Sequence, residues 1–125
     1  AHNVSGANAL REYLQENVER PITMVFAAMG GKDLDAISGI LFPLAENIIF
    51  ATPENPRAKP AREIAEFATD YVDPSNVFVI DEIGAAIARA KDLAGEKNLV
   101  LVTGSLYLIG EVQAYFKNRK VERRK

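Results

Sequence analysis

The side chains best suited to chemistry sit in four short clusters of small and polar residues. Thr103-Gly104-Ser105 places two hydroxyls and a flexible glycine where an apolar run gives way to helical periodicity. The free backbone N–H groups of such a switch can hold an anion; the competing account is a tight turn with Ser105 as a helix cap. Gly30-Gly31-Lys32-Asp33 resembles a phosphate loop only superficially, because it lacks the spacer and the Lys-Ser/Thr ending of a nucleotide P-loop. It reads as a turn with Asp33 as a cap, leaving Lys32 as a point charge able to face a carboxylate or phosphate. Arg57 lies in a proline-framed loop and could grip an anion in bidentate fashion; the plain alternative is a solvated loop arginine. His2 and Asn3 stand just ahead of a helix. A charged His2 could touch phosphate, whereas a solvated imidazole is the plain account.

These residues also exclude chemistry. One histidine and no cysteine cannot establish a metal site, and thiolate catalysis and disulfides are ruled out. Neither a Ser-His-acid spacing nor a dinucleotide fingerprint is present, so no catalytic constellation is complete. Fifteen basic against seventeen acidic residues give a formal charge of -2, too balanced for a nucleic-acid groove or an anionic membrane surface. No apolar run approaches the roughly 20 residues of a membrane span. A hydrophobic share of 48% and a charged share of 26% are ordinary for a cytoplasmic globular protein, and 125 residues suit one domain.

Helix and strand must alternate to position these clusters. Residues 5–17 form a predicted helix with Ala7, Leu10, Leu14 and Val18 on one face. Residues 22–28 form a strand closed by Gly30-Gly31, and Asp33 caps a helix carrying Leu34, Ile37, Ile40 and Leu41. A second strand spans 48–51. Pro60 suits the first turn of a third helix, which buries Ala61, Ile64, Ala65, Ala68 and Val72. A third strand spans 77–80, and Asp81 caps a helix built on Ile83, Ala86, Ile87, Ala90 and Ala94 that Gly95 stops. The fourth strand, 99–102, runs into Thr103-Gly104-Ser105. A last helix carries Leu108, Ile109, Val112, Tyr115 and Phe116 before the charged tail 117–125. The strands are continuously apolar, which indicates an α/β fold with a parallel sheet covered on both faces. Such sheets bind ligands beyond the carboxyl ends of their strands, where the polar clusters fall. A strand is also expected ahead of Ala1, so the chain reads as a domain truncated at its N-terminus.

At the same loops a family resemblance appears. Ala1-His2-Asn3 with Gly6-Ala7 and Leu10 resembles the end of an Asp-Gly-Ala-His-Asn-Pro segment of the folylpolyglutamate synthase/dihydrofolate synthase family. Val25-Phe26-Ala27-Ala28-Met29-Gly30-Gly31-Lys32-Asp33, Asn55-Pro56-Arg57-Ala58 and Val102-Thr103-Gly104-Ser105-Leu106-Tyr107-Leu108-Ile109-Gly110-Glu111 resemble three further signatures, in matching order. The resemblance covers the C-terminal domain only. It implies that residues 1–125 are a Rossmann-like, three-layer module with a mostly parallel sheet, as in the C-terminal domains of Mur-type amide ligases.

The resemblance implies an ATP-dependent ligase that joins L-glutamate to folate, or to dihydropteroate, through an acyl phosphate. It implies ATP and Mg2+ as cofactors, with the P-loop and the metal ligands on an N-terminal domain of the same polypeptide. Carried over by position, His2 matches a histidine expected near the ATP phosphates and Asn3 the neighbour that orders its loop. Ser105, with Thr103 nearby, matches the serine expected to bind the incoming glutamate. Lys32, Asp33 and Arg57 match recurrent cleft-side residues. The aspartate expected to bind ribose would precede Ala1, and Val4 replaces the motif proline, whose fixed φ would stiffen the loop. Two rivals share the layout. A stand-alone flavodoxin- or receiver-like module would bind an anion or nucleotide by itself. A cell-wall Mur ligase would use a UDP-linked acceptor, against which the segment 103–111 argues.

Overall fold

The computed structural model describes residues 3–29 and 33–104. Its elements are α1 (Val4–Asn17), β1 (Ile22–Ala27), α2 (Leu34–Leu41), β2 (Ala45–Phe50), α3 (Ala61–Ala65), β3 (Val77–Val79), α4 (Ile83–Ala94) and β4 (Leu99–Gly104). The strands form one sheet in the order β3-β2-β1-β4, and each neighbouring pair is parallel. β1 is buried along its whole length, as a continuous apolar run in a doubly covered sheet must be.

The two sheet faces carry separate cores. Ile22, Met24, Phe26, Ile48 and Phe50 join Ala7 and Leu14 of α1, Leu34, Ile37 and Leu41 of α2, and Ala61 and Ile64 of α3. Three phenylalanines centre this core, with Phe42 edge-on at 5.0 Å from Phe26 and 5.3 Å from Phe50. On the other face Val25, Ile49 and Ala51 meet Ala86 and Ala90 of α4. The right-handed crossover rule accounts for this division. From β1 to β2 to β3 the chain steps one way, which puts α2 and α3 on one face. From β3 it returns across the sheet to β4, which puts α4 on the other. The direction reverses between β1 and β4, the switch point of the sheet.

Several boundaries differ from the sequence expectation. Helix α1 starts at Val4 because Asn3 is its cap: Asn3 is extended, and its Oδ1 accepts the Gly6 N–H at 2.7 Å. β2 begins at Ala45, including Glu46 and Asn47, and β4 continues to Gly104. α3 ends at Ala65 and tightens into a 3-10 turn at Glu66–Ala68. Tyr71 and Val72 then donate to the Ala68 carbonyl, which brings Val72 back to the core. Asp81 does not cap α4. Glu82 does, its carboxylate accepting the N–H groups of Gly84 and Ala85 at 3.0 and 2.6 Å. Gly95 ends α4 at φ +55°, as expected of a C-terminal glycine.

Polar groups staple the amino edge of the sheet. Arg20 donates to the carbonyls of Lys97 and Asn98 at 3.1 and 2.8 Å, and Leu99 N–H donates to Pro21 O at 2.8 Å. The buried Asn98 amide donates to the Thr23 hydroxyl at 3.1 Å and to the Glu46 carboxylate, tying β1 and β2 to the residue that leads into β4. This edge is structural. No described helix is long and apolar enough to cross a membrane.

Candidate anion-binding site at the switch point

The carboxyl ends of β1 and β4 lie side by side, with Phe26 opposite Thr103 and Ala27 opposite Gly104. Gly104 sits at φ +121°, and a Cβ there would run into the Ala27 carbonyl oxygen while lying 3.0 Å from Ala27 C and N. Only glycine lets β4 approach β1 this closely and turn in that conformation. Thr103 beneath it is buried, 3% exposed, so it belongs to the floor of the crevice rather than its surface.

The β2 side is held by Thr52. Its N–H donates to Asp81 O at 3.0 Å, its hydroxyl donates to Asp81 Oδ1 at 2.7 Å, and its Oγ1 accepts the Ala61 N–H at 3.0 Å. One side chain thus joins the exits of β2 and β3 to the start of α3. Within the loop, Asn55 Oδ1 accepts the Arg57 N–H at 2.8 Å and Asn55 O accepts the Ala58 N–H at 2.9 Å. Ala58 forms an antiparallel bridge with Met29, and Lys59 N–H donates to Ala28 O at 2.9 Å. The loop after β2 is therefore sewn to the segment leaving β1, and Arg57 is exposed on it.

Asp33 occupies the cap position of α2 and its carbonyl accepts the Ile37 N–H, but its carboxylate makes no capping bond. The expected side-chain cap is absent, and the exposed carboxylate stands at the same carboxyl edge. Asn3 reaches that edge from the other side. Helix α1 enters β1 through a short turn at the amino edge and runs back against it. Its 14 residues span about 21 Å, against about 20 Å for the six of β1. The amino end of α1 therefore returns to the carboxyl edge. No acidic side chain stands in its first turn, and its cap is a neutral asparagine. The other helices carry Asp35, Glu63 or the Glu82 cap at that end. The positive end of the α1 dipole is thus left without a neutralising carboxylate of its own helix.

Asp33 and Arg57 thus follow the carboxyl ends of β1 and β2, the length of α1 carries Asn3 back toward the same edge, and Thr103 is buried near the end of β4. His2, Lys32 and Ser105 lie outside the described residues, as do the helix expected after residue 105 and the charged tail. Sequence reasoning placed Thr52 only within the polar stretch after the second strand and Asp81 only as a helix cap, and singled out neither as a candidate site residue. The available signal was positional: each is the first or second polar residue after an apolar run, at the exits of adjacent strands. Among the described residues no group of three or more histidine or acidic side chains could hold a metal ion.

A doubly wound parallel sheet with polar loops beyond the carboxyl ends of its strands defines a Rossmann-like α/β domain, whose fold class binds ligands at the switch point. The chain belongs to the family described as Mur ligase, glutamate ligase domain, whose model matches residues 1–106. It is 27% identical to a dihydrofolate synthase/folylpolyglutamate synthase of Mycobacterium tuberculosis, over 93% of this chain and 27% of that protein. It is 29% identical to the Bacillus subtilis protein of the same name, over 94% of this chain and 26% of that protein. The chain thus spans about a quarter of the length of these curated relatives. Its fold superimposes with a TM-score of 0.86 on Mycobacterium tuberculosis folylpolyglutamate synthase complexed with ADP and AMPPCP, at 27% identity over 93% of this chain and 28% of that one. The family, the α/β architecture and the covered parallel sheet agree with the sequence expectation.

Proposed function

We propose that this domain is the glutamate-ligase domain of an ATP-dependent ligase that adds L-glutamate to folate or dihydropteroate. The similarity to the mycobacterial folylpolyglutamate synthase solved with ADP and AMPPCP carries this assignment, because it extends over 93% of the chain. The curated relatives named above favour a folate-type acceptor over the UDP-linked acceptor of a cell-wall ligase.

In the proposed reaction the acceptor carboxylate takes the γ-phosphoryl group of ATP. The glutamate amine then attacks the acyl carbon and phosphate leaves. The residues of this domain bind and orient; they form no complete catalytic set. The amino end of α1, capped by Asn3 and preceded by His2, suits the nucleotide phosphates, because its N–H groups face no carboxylate of their own helix. By residue type and position in the sequence, Ser105 after Thr103-Gly104, together with Lys32, Asp33 and Arg57, suits the α-amino and carboxylate groups of glutamate. Lys32 and Arg57 supply the positive charge and Asp33 the negative. Magnesium would be held by the P-loop domain proposed as this domain's partner in the same polypeptide, since the described residues offer no cluster for it.

The test is ADP release by the full-length polypeptide carrying this domain, with dihydropteroate and tetrahydrofolate as separate acceptors. ADP formation that requires both L-glutamate and one acceptor is expected. Absence of glutamate-dependent release with either acceptor would overturn the assignment. Residues 1–125 alone are expected to release no ADP.

A further inference from the structure

The loop between β2 and α3 is more constrained than its exposure requires. Both of its ends converge on the Thr52 hydroxyl, which donates to Asp81 and accepts from Ala61. Its middle is folded over Asn55 and bridged to Met29 and Ala28. Pro53 is buried, and Pro56 and Pro60 restrict the backbone further. All this order presents one exposed cation, Arg57, at the carboxyl edge of a doubly wound sheet. A merely solvated arginine needs no such frame, whereas a receptor for an anion gains affinity when its orientation is fixed beforehand.

We propose that Thr52 and Asp81 are positioning residues: their hydrogen bond latches the loop so that Arg57 is held ready for an anionic group of the substrates, a carboxylate or a phosphate. The inference rests on the ligase assignment for the identity of those substrates, but not for the latch itself. Thr52 suits the task because a hydroxyl both donates and accepts, so one oxygen can tie two elements. Asp81 is free for it because the neighbouring Glu82 caps α4. The latch also reinforces the tie between this loop and the exit of β3, which otherwise rests on the backbone bond from Thr52 N–H to Asp81 O.

The isosteric variant Thr52→Val removes the hydroxyl and keeps the volume, and Thr52→Ser restores the hydroxyl. Two measurements separate the claims. Trypsin cleavage after Arg57, followed by mass spectrometry on the chain itself, reports the latch without any activity. Cleavage is expected to be at least about fivefold faster in Thr52→Val, which loses both hydrogen bonds of the hydroxyl, and to return to the wild-type rate in Thr52→Ser. In the full-length polypeptide, Thr52→Val is expected to raise one substrate KM by a similar factor with kcat little changed, and Thr52→Ser to reverse it. A rise in the glutamate KM assigns the carboxylate, and a rise in the ATP KM assigns the phosphate. Unchanged cleavage at Arg57 overturns the latch. Faster cleavage with both KM values unchanged overturns the role of Arg57 in substrate binding. A wild-type polypeptide with no glutamate-dependent ADP release overturns the ligase assignment instead, and the trypsin comparison still decides the latch.

Discussion

Gly104 lies directly opposite Ala27 in the parallel pair β1–β4, at a φ of +121° and so close that no side chain fits between them. The turn that leads to Ser105 is therefore set by a backbone contact rather than by side-chain packing. Gly104→Ala would meet both a steric and a conformational penalty. It is expected to lower unfolding stability by about 3 kcal/mol, read from the denaturant midpoint. A loss below about 0.5 kcal/mol would show that the two strands can separate at little cost.

Asn98 is buried at 7% exposure and its amide serves Thr23 and Glu46 together. Asn98→Ala would leave the Thr23 hydroxyl with only a long contact, 3.5 Å, from the Asn47 amide. A loss of about 1–2 kcal/mol is expected in chemical denaturation. Adding Thr23→Val should cost less than the sum of the two single changes, because both groups of that pair are then gone.

Val4 opens α1, at the position where helices accept proline most readily. Its N–H is among those a helix leaves without an internal partner. Val4→Pro is expected to stabilise the fold by about 0.4–1 kcal/mol, chiefly by restricting the unfolded chain, and to raise the thermal midpoint. The Asn3 side chain already orders this end through Gly6, so the proline that the family motif would place here is not needed to form the cap. A lowered midpoint would show that the first turn depends on the valine side chain.

Asp73 accepts the Ser75 N–H at 2.9 Å and the Ser75 hydroxyl at 2.7 Å, the backbone bond being the larger influence. Both favour the carboxylate, so its pKa in the folded chain lies below the ordinary value. A depressed folded-state pKa contributes stability that is present above the unfolded value and is lost as pH falls through the folded value. Carboxyl NMR titration should therefore find Asp73 titrating at lower pH than a free aspartate. Ser75→Ala should move it part of the way back, because the backbone bond survives. An Asp73 midpoint at or above that of a free aspartate would contradict the geometry.

The sequence made some of this legible and concealed the rest for physical reasons. β1 and α4 could be read because burial dictates their residues: a strand covered on both faces must be apolar throughout, and Ala86, Ala90 and Ala94 mark one helical stripe. The start of β2 could not, because Glu46 and Asn47 are polar for the sake of neighbours distant in sequence. Choosing between adjacent acids as the α4 cap was beyond local rules, since Asp81 is claimed by Thr52 from another loop. Of the candidate site, Asn3, Asp33 and Arg57 could be proposed from type and place. Thr52 could not, because its place rests on three hydrogen bonds, to Asp81 and Ala61, that only the fold assembles.

The pairing of β1 with β4 has a further consequence for synthesis. As the chain leaves the ribosome, β1, β2 and β3 appear with their helices well before residues 99–104. Until then β1, the most fully buried strand, keeps one hydrogen-bonding edge open, and Arg20 lacks the two carbonyls it will bind. Such an edge is a template for mispairing. The late arrival of β4 makes closure a long-range event, with the slow folding such contacts entail. The nascent domain therefore passes through a stage in which the β1 side of its switch point is an unfinished, association-prone seam.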